Sequence, residues 1–127
     1  MKKGATWIDR TLIESPFCIG LCQTEKQYKH ELKRLKVNVT NDCWIAEDKD
    51  ANVSEFTCGG ISVFIVSIRV QPKTTHLEII GLLVHEAVHV WQRIKQSIGE
   101  DDPSEEFEAY AIQRIAQNLI DAYRLKK

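Results

Sequence analysis

The chain has 127 residues, a length that accommodates one ordinary hydrophobic core and not two. A hydrophobic fraction of 43% and a charged fraction of 28% exclude a disordered chain, a collagen-like repeat and a cysteine-dense scaffold. The 17 basic residues against 18 acidic ones give a formal charge of −1, so no overall positive field exists to grip a phosphate backbone, and nucleic acid is not an expected partner. The charge is uneven, with eight Lys or Arg against four acids in residues 1–40 and six acids without a base in residues 99–108.

Near the N-terminus, Lys2 and Lys3 are followed by Asp9, Arg10 and Glu14 where an export signal would need an apolar core. The longest apolar run, from Ile79 to Val84, stops at His85 and Glu86, well short of the roughly 20 residues that cross a bilayer. The expectation is a cytoplasmic protein with no membrane segment, its four cysteines (Cys18, Cys22, Cys43, Cys58) kept as thiols. Their spacings do not match a zinc finger or ribbon.

Residues 1–23, with Pro16 imposing a bend, read as an extended arm. Thr24 and Gln27 have the form of a capping box and open a helix to about Lys36, with Tyr28, Leu32 and Leu35 on one face and lysines and Glu31 on the other. Three strands are then expected at Cys43–Glu47, Asn52–Cys58 and Ile61–Val70, joined as an antiparallel meander whose last turn is Gly59-Gly60. In the third strand Ile61, Val63 and Ile65 point one way and Phe64, Val66, Ile68 and Val70 the other.

Pro72 ends the sheet. Thr75 and Glu78 form a second capping box, starting a helix that Gly99 terminates. Ile79, Leu82, Leu83, Ala87, Val90, Trp91, Ile94 and Ile98 make it apolar around much of its circumference, the pattern of a buried central helix. Asp102, Pro103 and Glu105 fit the cap, first and third positions of a last helix running to about Tyr123. The short connection between these two helices makes them a hairpin.

The chemistry lies in His85-Glu86-Ala87-Val88-His89. One helical turn separates the histidines, so their imidazoles share a face and can share one metal ion. Glu86 is offset by about 100°, placed to take a proton from a metal-bound water without ligating the metal. Two neutral nitrogen ligands, a carboxylate base and an open position are the geometry of a zinc hydrolase, which is the expectation here. The bland alternative, two hydrogen-bonded core histidines, leaves three ionisable groups within five residues on an apolar helix to bear a large desolvation penalty. A catalytic zinc takes a third protein ligand, and the acidic cluster offers Glu105, Glu106 and Glu108. Glu106 shares the solvated side with Gln113, Gln117 and Arg124, whereas Glu108 heads the core-facing stripe of Ile112, Ile115, Leu119 and Ala122. Glu108 is therefore the expected ligand and Glu105, explained by the helix cap, the reserve. Gln92, one turn beyond His89, is positioned to line the site. Tyr110, Tyr123, Arg114 and His76 are conceivable stabilisers of the transition state.

His-Glu-Ala-Val-His on a long helix, followed by Glu-Ala-Tyr-Ala at 108–111 on the next, resembles the zincin metallopeptidases, in the gluzincin-like branch whose third ligand is a downstream glutamate. The segments Thr-Leu-Ile-Glu-Ser-Pro-Phe, His-Glu-Ala-Val-His-Val-Trp-Gln and Glu-Phe-Glu-Ala-Tyr-Ala-Ile-Gln are also similar to small zincin-like proteins encoded by bacteriophages and prophages. The resemblance implies one Zn²⁺ on His85, His89 and Glu108, Glu86 as general base, and a peptide or protein substrate extended along an edge strand in the 52–70 hairpin. The expected fold is α+β, a single zincin-like domain over 1–127 whose core, 24–123, comprises an N-terminal helix, a three-stranded antiparallel sheet, a buried active-site helix and a ligand-bearing helix. No downstream lobe is expected to wall off a cleft, which leaves room for a protein partner to complete it. The alternative function is a zinc-holding binding or regulatory module without turnover.

Overall fold

The computed structural model describes residues 3–8, 17–37 and 44–124. The fold is α+β, with strands β1 (Thr6–Trp7), β2 (Phe17–Cys22), β3 (Ala51–Cys58) and β4 (Ile61–Ile68) and helices α1 (Glu25–Arg34), α2 (His76–Ser97) and α3 (Glu105–Arg124). The sheet is mixed, in the order β1-β2-β4-β3. β3 and β4 are the expected hairpin, and Gly59 and Gly60 turn it with φ of 58° and 81°, a left-handed pair that residues with a side chain adopt only at a penalty.

Alternation along β4 sorts the core into two layers. Phe64, Val66 and Ile68 join Leu21 of β2 against Ile79, Leu83, Ala87 and Val90 of α2 and Leu119 of α3. Val63 and Ile65 face the other way, with Cys22, onto Tyr28 and Leu32 of α1. Helices thus cover both faces, which is why β4 is apolar on both.

Several expectations are corrected. The supposed N-terminal arm holds two strands, and β2 lies inside the sheet, antiparallel to β1 and parallel to β4 with Phe17 opposite Ser62 and Cys22 opposite Ser67. A parallel partner reached through a helical crossover leaves no local turn signal, so the sheet is four-stranded and mixed instead of a three-stranded meander. The strand expected at 43–47 is not formed over its described residues, 44–47. There Ile45 is buried, and the carbonyls of Ile45, Ala46 and Lys49 accept hydrogen bonds from the Arg69 guanidinium in place of a strand ladder. Cys43 lies outside the described residues.

Helix α1 starts as expected, with Gln27 N–H donating to Thr24 Oγ1. The Gln27 side chain, however, accepts from Gln23 N–H, one residue before the cap. Glu31 is buried instead of solvated, because its carboxylate accepts from Ala5 N–H at 2.8 Å and from Arg34 at 2.8 Å. In α2 the Thr75–Glu78 capping box is complete, and Gly99 follows the helix with φ 74°. The helix is buried along one face only, since Leu77, Ile80 and Val84 are exposed. Helix α3 is capped by Ser104, whose Oγ accepts from Phe107 N–H and whose carbonyl accepts from Glu108 N–H; Asp102 and Pro103 precede it. Among the described residues no helix is long and apolar enough to cross a membrane.

Because β2 is internal, Leu21→Ala is expected to lower the unfolding free energy by about 3 kcal/mol in denaturant titration. A loss below about 0.5 kcal/mol, the range of surface substitutions, would contradict its place in the core.

Candidate metal centre

The core face of α2, formed by Ile79, Leu83, Ala87, Val90 and Ile94, fixes the helix's rotation on the sheet. Rotation then decides every other side chain. Glu86 falls at the margin of that face and is buried, while His85 and His89 are turned out to an exposed flank. All three line a cavity of about 750 Å³ between α2 and β3, an edge strand of the sheet, and Lys49, Arg69 and Arg93 contribute to the same wall. The desolvation argument against idle histidines therefore applies to Glu86 alone.

His85 Nε2 and His89 Nε2 stand 3.2 Å apart. Two nitrogens on one tetrahedral zinc, at bond lengths of 2.0–2.1 Å, are separated by about 3.3 Å, so the spacing fits a shared ion. The tautomer fits as well. His89 Nδ1 lies 3.0 Å from Gln92 Oε1; in the tautomer that donates from Nδ1 to this oxygen, the Nε2 lone pair is left toward His85. Gln92, expected to line the site, instead orients His89 from the side, the usual arrangement behind a metal-binding histidine.

Burial pushes the Glu86 carboxyl above its usual range, and the nearby His85, His89 and Lys49 partly offset that effect. A raised value suits a group that must accept and then release a proton near neutrality. Arg93, one turn past His89, donates to Glu55 Oε1 of β3 at 3.1 Å, tying the helix flank to the edge strand across the cavity.

Glu108 is not brought to the histidines. Its Oε2 accepts from Trp91 Nε1 at 2.8 Å and from Lys95 Nζ at 3.2 Å, and these hydrogen bonds hold its carboxyl below the usual range, the indole N–H having the larger effect. Trp91 is two residues beyond His89, about 200° round the helix, so α3 meets α2 on a different side from the imidazoles. Phe107 packs edge-on against the same indole, with ring centroids 5.7 Å apart. Glu105 is the exposed first residue of α3. Among the described residues, no group of three His, Cys, Asp or Glu side chains is assembled around a common point. Of the three expected ligands the structure therefore brings together only His85 and His89, with Glu86 beside them.

Lys49 and Arg69 were not legible as site residues, since one lies in a turn and the other just past a strand. Arg93 is missed as well, although its four-residue spacing from His89 is a signal that could have found it. Comparison with protein-family models, curated proteins and solved structures found no match in any of the three.

Two outcomes are expected. Because the Glu86 carboxyl titrates higher folded than unfolded, its ionised form destabilises the fold. That penalty is absent below the unfolded carboxyl value and complete above the folded one. In chelator-treated protein, Glu86→Gln should raise Tm by about 2–4 °C at pH 7, and the gain should vanish as pH falls below the ordinary carboxylate range. Glu108→Gln should lower Tm while leaving zinc affinity, measured by competition with a chromophoric chelator, within about twofold; a much larger loss would make Glu108 a ligand.

Proposed function

We propose that the protein is a zinc-dependent peptidase, a small member of the zincin type, with His85 and His89 holding the metal and Glu86 acting as general base. The observation that carries this reading is the 3.2 Å separation of the two Nε2 atoms, with Glu86 in the same cavity. When bound, zinc supplies an acidified water and a positive charge that polarises the scissile carbonyl.

The protein's own groups account for the rest. Gln92 Oε1, 3.0 Å from His89 Nδ1, favours the tautomer whose Nε2 is free to ligate. The Glu86 carboxylate takes the proton of the attacking water and returns it to the departing amine nitrogen, a double duty that its raised pKa favours. The edge strand β3, whose Ala51, Asn52 and Val53 line the cavity, offers an extended substrate backbone a partner of the kind that resemblance to the zincins implies.

Purified protein should carry about one equivalent of zinc, lost in His85→Ala and in His89→Ala. Glu86→Gln should retain the metal and reduce cleavage of a mixed peptide library by at least about a thousandfold. A chain that takes up no zinc at micromolar concentration overturns the proposal. Full occupancy with no cleavage across the library would leave a zinc-holding binding module in its place.

A further inference from the structure

Hydrolysis of a peptide bond places negative charge on the carbonyl oxygen as the water oxygen bonds to carbon, and that charge needs a partner before the carbon–nitrogen bond breaks. The side chains conceivable for this task from the sequence are elsewhere. Tyr110 is 65% exposed, His76 and Tyr123 pack against each other with ring centroids 6.4 Å apart, and neither they nor Arg114 line the cavity.

Three cations do line it, and two are engaged. Arg93 is paired with Glu55. Arg69 donates to the carbonyls of Lys49 at 2.7 Å, Ile45 at 3.1 Å and Ala46 at 3.4 Å, and lies over the Trp44 ring at 5.6 Å. The Lys49 ammonium has no ion-pair partner among the described residues. Its position is fixed from behind: Arg69 grips the Lys49 carbonyl, Lys49 N–H donates to Ala46 O, and Arg69 N–H donates to Asp50 O. A residue at the end of β4 thus holds the turn that presents Lys49 to the cavity shared with His85, Glu86 and His89.

We infer that Lys49 is a further catalytic residue, which receives the negative charge on the substrate's carbonyl oxygen, with Arg69 as the positioning residue of its turn. The inference rests on the zinc reading above. Electron flow is that of simple hydrolysis. The water oxygen bonds to the carbonyl carbon as its proton passes to Glu86, charge gathers on the oxygen facing Lys49, and collapse expels the amine with the proton from Glu86.

Inorganic phosphate, a tetrahedral anion, is the probe. The full chain is loaded with Co²⁺ and titrated with phosphate at pH 7, following the visible cobalt spectrum. Lys49→Met should weaken phosphate binding about tenfold with Co²⁺ affinity unchanged, and Lys49→Arg should restore it to within about threefold. Equal affinities in Lys49→Met and wild type, no phosphate binding by wild type, or a loss that instead follows Arg93→Met would overturn the assignment. If Co²⁺ fails to bind wild type at all, the zinc reading itself falls and this inference with it, an outcome distinguished by a silent metal titration before phosphate is added.

Discussion

Each residue of an α-helix is rotated by about 100° from the one before, and α2 turns that rotation into a division of labour. Burial of Ile79, Leu83, Ala87, Val90 and Ile94 against the sheet leaves the helix one orientation. Everything on it then has an assigned direction: Glu86 at the margin between core and cavity, His85 and His89 facing out together, Arg93 toward the edge strand, and Trp91 and Lys95 toward α3. A change that rolled the helix would move all of these at once, so the packing of aliphatic side chains far from any chemistry governs the distance between the two imidazoles.

The helix is held against such rolling on both flanks. On one side Arg93 is joined to Glu55 of β3. On the other, Glu108 accepts from Trp91 and Lys95 while Phe107 packs against the indole. The acidic cluster of 99–108, conspicuous in an otherwise balanced chain, therefore contributes a brace between two helices. A carboxylate heading a core-facing stripe needed a partner, and an indole N–H and an ammonium are as good an answer as a metal ion.

What could be read from the sequence was local in origin. The Thr75–Glu78 box, the Gly59-Gly60 turn and the alternation through Phe64 and Ile65 each depend on residues a few positions apart, and the structure has all three. The histidine pair belongs to the same class, because a four-residue spacing fixes a face whatever surrounds it. Long-range choices were not legible. Nothing near Phe17 signals that its partner is Ser62, and a helical wheel places Glu108 toward α2 without saying which side of α2 it meets. The strand expected at 43–47 rests on Trp44 and Ile45, which look like one; the shape of the segment there depends on Arg69, which lies after a whole hairpin.

The parallel pairing of β2 with β4 also sets an order on assembly. A ribosome releases Phe17–Cys22 before it has made α1, β3 or the strand that β2 must join, so this segment has to remain without its neighbour while the hairpin and crossover helix emerge. Closing the sheet then means bringing together pieces separated by most of the first half of the chain, a step whose entropy is lost before any contact repays it. Leu21 and Cys22, both wholly buried at the end, are apolar side chains of that segment whose burial is complete only when β4 has joined.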